Sequence, residues 1–181
     1  VISMNGAANP HKTAVAIAAG AIFAALVAVA TLTFVIPIPA TTGYFNLGEG
    51  LIYTAALLFG PYAGLLAGAG ASIADMLVAP QFAVGTLIIK AIEGFLVGYL
   101  TKKLYKKTQN LTLSAAISIL IGGIQMVAGY FIYETLILSY PATLAAVEVP
   151  FNIVQMIVGL VIAVPVMHAV QRVFPQLKSY L

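Results

Sequence analysis

Five ionisable side chains stand inside apolar stretches of this chain, Glu49, Asp75, Lys90, Glu93 and Glu134, although only 7% of its residues are charged. An ionised group in hydrocarbon costs at least ~2.5 kcal/mol on insertion scales, so a chain that keeps several is using them. Spacing sorts them into stripes. Thr86, Lys90 and Glu93 share one helix face, as do Tyr130, Tyr133 and Glu134, and likewise Asn152, Gln155 and Gly159, because residues three or four apart stack on a helix. Tyrosine supplies a flat apolar face with a polar tip, and Asn and Gln present paired donors and acceptors, a combination suited to a planar heterocycle.

Lys90, Glu93, Tyr133, Glu134, Asn152 and Gln155 are therefore the expected ligand contacts, with Tyr44, Asn46 and Glu49 shaping a lid over them. Glu49, flanked by Gly48 and Gly50, sits where a helix N-terminus would favour a carboxylate. Blander readings stand beside these. Lys90 and Glu93 could neutralise one another, and Glu49 could simply cap a helix. Tyr44, Tyr53, Tyr133 and Tyr140 could form an interfacial belt, and Glu148 is expected to be solvated. His11 and His168 lie far apart and cysteine is absent, so no metal site, cofactor or disulfide is expected.

The elements that must position these groups are membrane helices. The 181-residue chain is 62% hydrophobic, and its mean hydropathy is +1.07. Both values are far above those of a soluble domain, and its apolar runs reach the ~20 residues that a bilayer-spanning helix needs. The expected fold is all-α, one transmembrane domain over residues 1–181 with a flexible segment 1–12 and six membrane segments. The first runs from Thr13 to Ile36 as a retained helix rather than a signal peptide. The stretch Pro37 to Leu47 reads as a loop, and the segment Gly48 to Gly60 is too short to cross a ~30 Å core. Further segments follow from Pro61 to Ala79, Ala83 to Thr101, Leu111 to Ser139 and Val149 to Phe174. Loops are expected at Lys102 to Asn110 and at Tyr140 to Glu148.

Charge orients this arrangement. With six crossings and the N-terminus inside, Lys12, the lysines 102, 103, 106 and 107, Arg172 and Lys178 all fall on the cytoplasmic side of the cell membrane. Topology thus accounts for the basic balance, and nucleic acid is not an expected partner. The polar stripes then gather in the outer half of the membrane, Lys90 and Glu93 roughly 10 and 15 Å below the outer end of their helix. A one-sided layer suits a capture cavity better than a through-pore. A stand-alone carrier or channel is the alternative, and an intramembrane enzyme using paired carboxylates is a weaker one. No Walker A loop is present, so ATP would be hydrolysed by partners. A second signal is steric. Ala14, Ala18, Ala21, Ala25 and Ala28 make a smooth stripe that needs a partner helix, either internal, against Gly64-x-x-x-Gly68 or Gly94-x-x-x-Gly98, or on another membrane subunit.

In FNLGEGLIYTAALLFGPYAGLLAGAGASIADML (Phe45 to Leu77), TLIIKAIEGFLVGYL (Thr86 to Leu100) and VPFNIVQMIVG (Val149 to Gly159), the chain resembles the substrate-binding S components of energy-coupling factor (ECF) vitamin transporters, riboflavin-type branch. The resemblance implies six helices with cytoplasmic termini, a first outer loop folded over the ligand, and binding among helices four to six. It also implies that the alanine-rich first helix docks on a transmembrane coupling protein carried by two cytoplasmic ATPases, and that the loaded subunit topples to release its vitamin inside. Riboflavin is the first expectation. Where riboflavin-type members carry an N-x-x-K pattern, Asn152-Ile-Val-Gln155 departs from it, which leaves flavin, thiamine and the pyrimidine precursor of thiamine open.

Overall fold

In a computed structural model that describes residues 10–39 and 41–180, six α-helices follow one another. They are α1 (Pro10–Thr33), α2 (Gly48–Phe59), α3 (Pro61–Val78), α4 (Ala83–Thr108), α5 (Leu111–Leu136) and α6 (Ala142–Val173). A short 3-10 helix, Pro175–Tyr180, closes the chain. The expectation of a flexible segment 1–12 falls mostly outside the described residues; Pro10, His11 and Lys12 already belong to α1. Five helices are long and apolar enough to cross a membrane, and α2, at 12 residues, is not. That helix is instead the centre of the molecule: Ile52, Tyr53, Ala55, Ala56 and Leu57 are all essentially inaccessible. Large apolar side chains such as Leu77 and Leu136 point outward, as a lipid-facing shell requires.

Helix boundaries follow local chemistry. Proline tolerates the first turn of a helix, where its missing N–H would be unpaired anyway, and Pro61 opens α3. Gly60 makes the tight turn into it at φ 84°, in the left-handed region that favours glycine. Asn110 caps α5, its side chain accepting from Leu113 N at 3.0 Å.

Two expected loops are helical. Lys102 to Thr108 continues α4, because lysine is a good helix former and positive charge suits a helix C-terminus. Ala142 to Glu148 belongs to α6, which carries Pro150 and Pro165 inside it, since neighbouring structure in a membrane helix can satisfy the backbone groups that proline frees. Glu148 is consequently buried at 5% exposure rather than solvated. The loop after α1 holds a two-stranded antiparallel ribbon, β1 (Ile36–Pro37) with β2 (Tyr44–Phe45), which the sequence pattern does not announce.

Small residues set the close approaches. A Cβ at Gly64 would strike the Gly94 backbone, one at Gly68 the Lys90 backbone, and one at Gly70 the Ala24 backbone. The α3–α4 and α1–α3 seams are thus built on glycines. Most of the alanine stripe lies outside them: Ala14, Ala18, Ala21 and Ala25 are exposed and only Ala28 is buried. At one end of the bundle Lys12 Nζ donates to Ser179 O at 2.9 Å, Tyr180 packs edge-on against Phe59, and Gly98 abuts Gly60 and Pro61. This end carries Lys12, the lysines 102, 103, 106 and 107, Arg172 and Lys178; the β-ribbon and the α3–α4 and α5–α6 turns lie at the other.

Candidate functional site

Under the ribbon, the packed helices leave a cavity of about 40 Å³. The loop contributes Gly43, Tyr44 and Asn46, α3 contributes Ala71 and Asp75, and α4 contributes Thr86 and Lys90. Thr31 of α1, Phe82, Tyr130 of α5 and Glu148, Asn152 and Gln155 of α6 close it. Helical spacing explains the contribution of α6, since Glu148, Asn152 and Gln155 are four and three residues apart and share one face.

A polar network forms the floor. Lys90 lies against the Glu49 carboxylate and 3.6 Å from Glu93 Oε2. Tyr53 donates to Glu93 Oε1 at 2.6 Å, and Gln155 Nε2 donates to Glu49 Oε1 at 2.9 Å. Gln155 Oε1 in turn accepts from Asn46 N at 3.1 Å, tying the lid to the helix core. All three ionisable groups are buried, so each needs these partners: removing one member strands the others without a partner, whereas such a pair itself adds little net stability.

The wall and the lid are joined by further bonds. Tyr44 donates its phenol to Asp75, and Thr86 shares a 2.8 Å bond with Tyr130. Burial, reinforced by the neighbouring Asp75 carboxyl, pushes the Tyr44 phenol well above its ordinary range, so it remains a donor. Gln81 Nε2 and Tyr140 both bond the Thr42 hydroxyl, at 2.9 and 2.7 Å. Asn152 differs from all of these. It is 8% exposed, lines the cavity and has no hydrogen-bond partner among the described residues.

Of the expected contacts, Lys90, Asn152, Gln155, Tyr44 and Asn46 meet at this cavity. Glu49 and Glu93 lie in the network around Lys90 rather than on the cavity wall, the first pairing with Lys90 instead of only capping α2. Tyr133 points elsewhere, donating to Gln81 O at 2.8 Å and packing on Phe82. Glu134 is fully buried off the wall, facing Glu148. Tyr53 is buried at 0% exposure and is no interfacial residue. The cavity residues that the sequence reading did not place in the site are Asp75, Glu148, Thr86, Tyr130 and Phe82, together with Thr31, Gly43 and Ala71. Asp75, Thr86 and Tyr130 carried a signal, as polar groups in the same membrane layer; Glu148 carried none because it falls at the end of the stretch Tyr140 to Glu148, which reads as a loop.

The family model described as ECF-type riboflavin transporter, S component, matches residues 11–172. The chain belongs to this S-component family. ECF S components are substrate-binding subunits that work with a transmembrane coupling protein and ATPases, so this one is a multi-pass membrane protein and not an enzyme. A Lactococcus lactis relative, the thiamine precursor transporter HmpT, is 35% identical over 155 residues, 84% of this chain and 85% of that one. A Pyrococcus woesei protein described as an uncharacterized protein in gap 3′ region is 38% identical over 137 residues, 75% of this chain and 88% of that one. A solved structure of the S component of a bacterial ECF transporter superposes with a TM-score of 0.68 at 19% identity, covering 92% of this chain and 99% of that one, which shows the S-component fold.

Proposed function

We propose that this S component captures a small nitrogen heterocycle of the thiamine-precursor class from outside the cell membrane for ATP-driven uptake. Asn152 carries this reading. A buried amide without a partner costs ~1–3 kcal/mol, and a ligand with ring nitrogens and amino groups meets both its donor and its acceptor. Charge supports the same class. Lys90 is already matched by Glu49 and Glu93, while Asp75 and Glu148 remain on the wall, which favours N–H donors and disfavours anionic cargo. Size points the same way. The cavity of about 40 Å³ must enlarge even for one ring, and the tricyclic flavin suggested by the family's description demands a larger displacement of Tyr44 and Asn46. The Lactococcus relative handles a thiamine precursor.

The basic end of the bundle faces the cytoplasm by the positive-inside rule, which opens the cavity outward. The exposed alanines at 14, 18, 21 and 25 form the ridge on which the coupling protein seats, and tipping of the loaded subunit delivers the cargo inside. Calorimetric titration of the detergent-purified protein with hydroxymethyl-aminopyrimidine and, separately, with riboflavin tests the choice of cargo. Saturable one-to-one binding of the pyrimidine by a colourless protein is expected. A yellow preparation with flavin absorbance, or tighter binding of riboflavin, would overturn the pyrimidine in favour of the flavin.

A further inference from the structure

A second cavity, of about 450 Å³, opens at the basic end of the bundle, far from the first. It lies between the end of α4, the start of α5, the end of α6 and the 3-10 helix, with Tyr105, Leu111, His168, Gln171, Arg172 and Lys178 on its walls. Its chemistry is the inverse of the capture cavity. Arg172 and Lys178 are exposed here, and no acidic side chain is available to them, since the five acidic residues of the sequence, Glu49, Asp75, Glu93, Glu134 and Glu148, all serve the other half of the molecule.

Two independent observations give this place the character of a site. Gln171 is 3% exposed, yet both its Nε2 and its Oε1 lack hydrogen-bond partners among the described residues. A buried amide with both ends open is costly unless something fills them. The N-terminus of α5, a 26-residue helix, also opens on this cavity at Leu111. Its backbone hydrogen bonding begins only with Ser114 N to Asn110 O, so the amides of Leu111 and Thr112 precede the ladder and the helix presents the positive end of its dipole. Two cations, an amide donor and a helix N-terminus together match a phosphate group.

We propose that this cavity binds the phosphate of an anionic phospholipid headgroup. A free phosphate ion shares the chemistry, but three features favour the lipid. Val173 and Phe174, at 68% and 50% exposure, follow Arg172 at the end of α6, a helix long and apolar enough to cross a membrane. The volume exceeds what a bare ion needs, and Gln171 Oε1 calls for a donor such as a headgroup hydroxyl. Basic pockets between membrane helices on the cytoplasmic side recognise lipid headgroups by the same forces.

The test uses the full chain in neutral detergent, titrated with short-chain phosphatidylglycerol, short-chain phosphatidylcholine and inorganic phosphate at matched ionic strength, with bound lipid counted by native mass spectrometry. Saturable binding of phosphatidylglycerol is expected, stronger than that of the other two. The double variant Arg172→Ala with Lys178→Ala should bind it on the order of tenfold or more weakly, Arg172→Lys should retain it, and Gln171→Leu should lose the preference over phosphatidylcholine. Both cations are exposed, so the double variant should unfold at the wild-type temperature in the absence of lipid. Equal binding of the two lipids, or unchanged binding by the double variant, would overturn the site. Inorganic phosphate binding as tightly as phosphatidylglycerol would overturn the lipid assignment and leave a free-anion site.

Discussion

Asn152 and Lys90 sit a few side chains apart and do opposite things. Asn152 owes nothing to the fold, so Asn152→Ala should weaken cargo binding by ~1–3 kcal/mol by calorimetry while leaving the unfolding temperature in place. Lys90 holds Glu49 and Glu93 together, and Lys90→Met leaves two buried carboxylates without a cation. A loss of ~3–5 kcal/mol in thermal unfolding is expected, partly recovered when Glu49→Gln is added. A double variant no more stable than Lys90→Met would show that charge is not what the lysine supplies. Lys90, Asn152 and Gln155 were legible in the sequence because an isolated polar group in an apolar helix stands out. Glu148 was not, because the stretch Tyr140 to Glu148 reads as a loop although α6 begins within it, and the Tyr44–Asp75 contact joins a loop to a helix across 31 residues, which no local pattern encodes.

At the scale of elements, two kinds of small-residue stripe look alike in sequence and behave differently in space. Gly68 sits against the Lys90 backbone, so Gly68→Leu should force α3 and α4 apart and be read as loss of folded protein in detergent chromatography. Ala18 faces outward, so Ala18→Leu should leave folding and cargo binding as they are and reduce co-purification with the coupling protein. Equal damage from both would remove the distinction. The positions of α1 to α5 and the shortness of α2 followed from apolar run lengths and from Pro61. The end of α4 and the start of α6 did not, since the lysines from 102 on and the stretch Tyr140 to Glu148 read as loops although both are compatible with a helix here. The β-ribbon is held by only two residue pairs and leaves no periodic trace.

For the whole molecule, the gathering of basic residues at one end makes orientation testable. The chain has no cysteine, so single cysteines report cleanly. Gln81→Cys should react with a membrane-impermeant maleimide on intact cells, and Lys106→Cys only after permeabilisation; the reverse pattern would invert the topology. In the proposed orientation one end closes over the cargo and the other meets the cytoplasmic interface. The most direct test of the capture cavity is native mass spectrometry of the protein purified from vitamin-replete cells beside its Asn152→Ala variant. The account predicts one heterocycle of small mass per wild-type chain and a clearly lower occupancy on the variant. Equal occupancy of the two, or a wild-type chain that carries no small molecule at any vitamin supply, would contradict it.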